Sequence, residues 1–116
     1  MQLATSEEHR GRAADALYAR FFSGLADETR LRIVRYLLQH PRTVGEIVAA
    51  LGMSQSRISN QLSCLKWCGY VNAQRRGRNV VYEVADPAAI GDLLAIAQRL
   101  VAANASHIAV CTQVAL

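Results

Sequence analysis

The stretch that decides the fold runs from Thr43 to Tyr70 and reads TVGEIVAALGMSQSRISNQLSCLKWCGY. Thr43 with Glu46 three residues on has capping-box spacing, and Val44, Ile47, Val48 and Leu51 form a short apolar helical face that Gly52 closes. Ser54 then caps a second helix reaching about Cys68, with Ile58, Leu62 and Leu65 facing inward. Two short helices joined by Gly52-Met53, the second opening on small polar residues, predict a helix-turn-helix over residues 43–68. The helix after Gly52 is its reading helix.

Downstream the period changes to two. Tyr70 to Gln74, and Val80, Tyr82 and Val84 alternating with Val81 and Glu83, flank Arg75-Arg76-Gly77-Arg78-Asn79, which predicts a β-hairpin over 70–85 with a basic tip. Upstream, Asp27 caps a helix from Glu28 to His40 with Leu31, Val34 and Leu38 on one face and Pro41 beyond its end. Ala14, Leu17, Phe21 and Leu25 give an earlier amphipathic helix over 8–25. Asp86-Pro87 opens a last helix over 87–114, with proline at its first position. Its seam, Ile90, Leu94, Ala97, Val101, Asn104, Ile108, Cys111, repeats every 3.5 residues and suits packing against the same helix of a second subunit. The expected fold is mostly α with a small β-hairpin, a winged helix-turn-helix in the order ααααββα. One domain spans 1–116, and a homodimer forms through the first and last helices, 8–25 and 87–114.

At 116 residues and 12.7 kDa, with 52% apolar and 19% charged residues, the chain has room for one packed core and none for a multidomain enzyme. The formal net charge of +4 is unevenly placed: Ser54 to Tyr82 holds Arg57, Lys66, Arg75, Arg76 and Arg78 with no acid, +5 in 29 residues, while the other 87 carry 8 cations against 9 acids. Such a local cationic surface binds the phosphates of double-stranded DNA by releasing counterions. Opposite Ile58, Leu62 and Leu65 the reading helix carries Ser56, Asn60 and Ser63, flanked by Arg57 and Ser59, short polar groups able to meet base edges. The expected DNA-contacting set is Gln55, Ser56, Arg57, Ser59, Asn60 and Gln61, with Arg76 and Arg78 reaching backbone or minor groove from the wing. The alternative is a solvated helix surface with incidental arginines.

The residues Ala26-Asp27-Glu28-Thr29-Arg30-Leu31-Arg32-Ile33-Val34, Ser59-Asn60-Gln61-Leu62-Ser63-Cys64-Leu65, Gly69-Tyr70-Val71 and Gly77-Arg78-Asn79-Val80-Val81-Tyr82 resemble the ArsR/SmtB family of winged-helix repressors. The resemblance covers roughly Leu17 to Asp86. It implies a homodimer that represses from a palindromic operator when metal-free and is released by metal; a two-fold dimer meets symmetric half-sites. Gln61 stands where the family's reading helix usually carries histidine.

Cys64 and Cys68, four apart on one helix, have Cβ atoms about 5–6 Å apart. Two ligands of a trigonal thiolate site need sulfurs roughly 4 Å apart, so the pair can chelate. A cysteine pair alone is more often small buried hydrophobes. Here the two lie beside Arg57 on the reading helix, and Cys111 falls on the seam of the last helix. Leu62-Ser63-Cys64-Leu65-Lys66-Trp67-Cys68-Gly69 closely resembles the family's cadmium- and lead-sensing members. There, the corresponding cysteines bind metal with a third thiolate from the C-terminal region. The resemblance thus implies Cys64 and Cys68 as ligands, with Cys111 matched by position. The family's thiol motif at the start of the helix-turn-helix is missing from Thr43-Val44-Gly45-Glu46-Ile47, and its Asp/His site on the last helix is reduced to Asp92 and His107.

Three soft thiolates favour cadmium or lead as effector, with mercury close behind and arsenite also able to accept three sulfurs. His107 can add a nitrogen ligand or be a surface histidine. Thiol oxidation is the competing regulatory reading. Three cysteines make a poor disulfide framework, the N-terminus lacks a signal-peptide apolar region, and the greasy last third is broken by Asp92, Arg99, Asn104 and His107. These features lead us to expect a cytoplasmic protein without a membrane partner. No activated nucleophile, phosphate loop or paired catalytic carboxylates argue for an enzyme.

Overall fold

A computed structural model describes the backbone of residues 2–115 and the side chains of residues 7–110. The chain divides into two compact units, Met1–Ala85 and Asp86–Leu116. The first contains α1 (Gln2–Ser23), α2 (Glu28–Gln39), β1 (Arg42–Thr43), α3 (Val44–Leu51), α4 (Gln55–Trp67), β2 (Val71–Arg76) and β3 (Asn79–Val84); the second is α5 (Pro87–Ala115). This is the winged helix-turn-helix expected from the sequence, with one strand more than foreseen.

The caps are set locally. The Asp27 side chain accepts from Arg30 N–H at 3.1 Å and starts α2. Thr43 and Glu46 exchange the two bonds of a capping box at the head of α3: Glu46 N–H to Thr43 Oγ1 at 3.2 Å, and Thr43 N–H to Glu46 Oε1 at 3.0 Å. These bonds also hold the Glu46 carboxyl below its ordinary pKa. Gly52, at φ 66°, ends α3 in the left-handed region and donates to Val48 O, so the chain turns at once into the Ser54 cap of α4.

The added strand is β1, which pairs with β3 through Arg42↔Tyr82 and Thr43↔Val81 and gives a three-stranded antiparallel sheet in the order β1-β3-β2. The predicted order ααααββα is therefore corrected to ααβααββα. Two residues carry no alternation to read, and their partner lies far along the chain. The core of the first unit is Ile33, Val34 and Leu37 of α2, Ile47 of α3, Ile58, Leu62 and Leu65 of α4, and Tyr70, Val71 and Val84 of the sheet region. On α2 the buried face is thus rotated from the expected Leu31, Val34 and Leu38; Leu31 and Leu38 are half-buried.

In the second unit, Asp86 Oδ1 accepts from Ala89 N–H at 3.1 Å, capping α5 with Pro87 in its first turn. The uninterrupted 3.5-residue seam is corrected at Asn104, which leaves helical geometry at φ −125°, ψ 19°, its Nδ2 donating to Leu100 O at 2.9 Å. Ile96, Leu100, Val101, Ile108 and Val110 are exposed on this helix. By length and composition alone Pro87–Val110 is long and apolar enough to cross a membrane. Asp92, Arg99 and the break at Asn104 all lie inside that stretch. A central charge alone opposes insertion by roughly 2.5–3.5 kcal/mol.

Candidate nucleic-acid interface and thiol pair

α4 buries Ile58, Leu62 and Leu65 completely, and this fixes which of its residues face outward. Gln55, Ser56, Arg57, Asn60 and Ser63 are exposed, and Ser59 is half-buried. Gln61 differs. It is half-buried, and its Oε1 accepts from Arg30 Nη1 of α2 at 2.8 Å, so a base that meets it shares that oxygen with Arg30 or accepts from its Nε2.

The hairpin register runs from Val71↔Val84 to Arg76↔Asn79, leaving Gly77-Arg78 as a two-residue turn. Gly77 has φ 63° and Arg78 does not have positive φ, the pattern of a II′ turn with glycine first. Arg75 and Arg76 therefore belong to β2 and Arg78 to the turn, all three exposed.

Cys68 is the C-cap of α4. Gly69 at φ 84° donates to Lys66 O at 3.1 Å and Tyr70 N–H donates to Leu65 O at 2.9 Å, the bond pair of a Schellman ending. Cys64 and Cys68 are half-buried free cysteines, and Cys64 is near enough to influence the Cys68 thiol. Burial, then the neighbouring Cys64, pushes the Cys68 thiol up, while Arg30 and Arg20 pull it down. The cations that reach Cys68 are thus Arg30 of α2 and Arg20 of α1. A groove of about 330 Å³ lined by Leu17, Arg20, Phe21 and Trp67 opens on Cys68. Trp67 is 91% exposed.

The donor set suits a soft metal at two positions: adjacent sulfurs on a fixed helix end, where ligation replaces a thiol proton. Among the described residues no group of three or more His, Cys, Asp or Glu converges. Cys111 lies outside the described side chains, and His107 is exposed.

Two residues escaped sequence reading. Gly24 is buried, and a Cβ built on it would stand 2.8 Å from Tyr70 Cε2 and 3.0 Å from Cys68 Sγ. Arg30 donates from Nε to Gly24 O at 2.7 Å, from Nη2 to Ser23 O at 3.2 Å and from Nη1 to Gln61. Beside them Tyr70 stacks on Phe21 with ring centroids 4.7 Å apart and donates to Phe21 O at 2.7 Å. No local spacing announces these contacts.

Residues 27–73 match the family described as bacterial regulatory protein, arsR family. The chain is 46% identical over 96 residues to a probable mercury resistance operon repressor of Streptomyces lividans, covering 83% of this chain and 76% of that one. It is 41% identical over 85 residues to the HTH-type transcriptional regulator CmtR of Mycobacterium tuberculosis, covering 71% and 72% respectively. The solution structure of a homodimeric winged helix-turn-helix DNA-binding domain from Mycobacterium bovis superposes with a TM-score of 0.74 at 33% identity, covering 84% of this chain and 90% of that one.

Proposed function

The chain belongs to the arsR family of bacterial regulatory proteins, and from that premise we propose that it is a homodimeric, cytoplasmic repressor that holds operator DNA when metal-free and lets go when a soft metal ion binds its thiols. The paired thiols at the end of the reading helix carry this reading. Cys64 and Cys68 are half-buried, stand one helical turn apart with Cys68 N–H donating to Cys64 O, and are held at a Schellman ending. Relatives named for mercury resistance and as CmtR support a metal effector.

The DNA surface comprises Gln55, Ser56, Arg57, Ser59, Asn60 and Gln61 of α4, with Arg76 and Arg78 of the wing. Cys64 and Cys68 give up their protons on ligation, with Cys111 as the third thiolate. Cadmium, lead and mercury all suit three sulfurs. The exposed apolar residues of α1 and α5, among them Leu17 at 70% and Leu100 at 61%, are the surfaces a second copy covers. Ligation then shifts the population between dimers that grip DNA and dimers that do not.

The test is direct. Fluorescence anisotropy follows reduced protein on a DNA duplex selected from random sequence by the wild-type chain, while cadmium, lead or mercuric ion is titrated in. Thiolate charge-transfer absorption should rise as DNA is released, and Cys64→Ser and Cys68→Ser variants should bind DNA and stay bound. Release of those variants by metal would sink the proposal, and release of wild type by peroxide but not metal would favour the redox reading.

A further inference from the structure

One guanidinium joins the thiol end of α4 to its reading face. Cys68 Sγ abuts the backbone of Gly24 so closely that a Cβ there would meet it at 3.0 Å. The carbonyl of that same Gly24 accepts from Arg30 Nε at 2.7 Å, and Ser23 O accepts from Nη2 at 3.2 Å. The third arm of the fork, Nη1, reaches Gln61 Oε1 at 2.8 Å, back on α4 between exposed Asn60 and buried Leu62. A continuous set of short contacts therefore runs from Cys68 through the α1–α2 corner to the middle of the reading helix. Gln61 is three residues before Cys64, on the turn that carries Asn60 and Arg57.

We propose that Arg30 is the positioning residue that couples the thiol pair to the orientation of the α4 reading face. The inference rests on the metal-release reading above. A coordination bond that draws the Cys68 sulfur toward the groove it opens on shifts it relative to Gly24, against which it is closely packed. Displacement of the Gly24 carbonyl re-aims the planar fork, whose donors are fixed relative to one another. The pull is delivered to Gln61, which turns Ser56, Arg57 and Asn60 with it.

Arg30→Lys keeps the charge and removes the fork. Gln61→Met keeps Arg30 and removes its acceptor. Each is compared with wild type in three measurements: thermal melting, cadmium and mercuric-ion affinity by thiolate absorption, and the ratio of DNA affinities without and with each ion on the selected duplex. Coupling between sites ordinarily amounts to about 5–150-fold. We expect wild type in that range, with both variants lowered to about twofold or less while ion affinity stays within about threefold. The double variant should match the single ones, because both cut one connection. A merely structural Arg30 would change melting and overall DNA affinity but leave the ratio intact, and that result overturns the proposal. If Arg30→Lys does not fold, Gln61→Met decides on the same ratio. Wild type that ignores both ions overturns the metal reading itself and this inference with it, whereas wild-type release with unchanged variant ratios overturns the coupling alone.

Discussion

Gly24→Ala isolates the tight joint beside Cys68. Positive φ occurs at Gly52, Gly69 and Gly77 but not at Gly24, so the backbone there accepts any residue and glycine is required for space alone. The added methyl would lie 2.8 Å from Tyr70 Cε2, 3.0 Å from Cys68 Sγ and 3.1 Å from Cys68 Cβ. Tyr70 cannot recoil freely, being fully buried, stacked on Phe21 and bonded to Phe21 O. Overpacking of this kind costs about 1–3 kcal/mol. The lower unfolded-state entropy of alanine offsets about 0.4–1 kcal/mol. The net expectation is a loss of about 1–2 kcal/mol, a fall in Tm of roughly 4–8 °C for a domain of this size. Circular dichroism melts in reductant, at matched protein concentration, measure it. Cys68→Ala in the same background should recover only part of the loss, since Tyr70 and the residue-68 Cβ remain. A Gly24→Ala protein melting at or above wild type would refute the close approach on which the joint depends.

Three further outcomes follow from the same contacts. Arg76→Ala with Arg78→Ala should weaken DNA binding and lower the slope of log K against log salt by about 1.8 per protomer, at roughly 0.9 for each phosphate no longer neutralised; an unchanged slope removes the wing from the interface. Tyr70 ionises in the folded chain at about 12, pushed up first by burial and then by Cys68. The folded state keeps a proton that the unfolded chain releases near 10, so this contribution is intact below that pH and disappears as pH climbs to about 12. Tyr70→Phe should flatten that alkaline decline in chemical-denaturation stability and cost only about 0.5–1.5 kcal/mol at neutral pH, because Phe21 O also accepts from Gly24 N–H. Leu100→Glu should shift sedimentation from dimer toward monomer and weaken DNA binding; a dimer as tight as wild type would show that this face of α5 is not the interface.

What the sequence made legible was whatever lies within four residues. The Thr43/Glu46 box, the Ser54 and Asp27 caps and the Gly52 and Gly77 turns each depend on one local spacing, and each is present in the fold. Phase was harder than period. Leu31, Ile33, Val34, Leu37 and Leu38 share one broad apolar arc covering nearly half of α2, so the packing of Ile33, Val34 and Leu37 in the core decides where its centre lies. The α5 seam failed at Asn104 for a different reason, since an amide able to bond the carbonyl four residues back competes with the helix. The thiol pair was readable as a pair because its members share a helix. Its surroundings were not: Arg30 and Gln61 are 31 residues apart, and Tyr70 and Phe21 are 49 apart.

Those surroundings bear on how release works. In the proposed site, ligation by three thiols would exchange three protons for one dication, a local change of −1, set beside five cations and no acid between Ser54 and Tyr82. An exposed surface at physiological salt feels such a change only within about 8 Å. In counterion terms it resembles giving up one neutralised phosphate, far short of abolishing a site built on many. Charge alone therefore does not release DNA. Displacement can, because the sulfur of Cys68 packs closely on the Gly24 backbone on one side and opens on a groove on the other. A ligand bond that draws the sulfur into that groove would change its packing on the α1–α2 corner or turn α4. Both are held to the reading face by the same arginine.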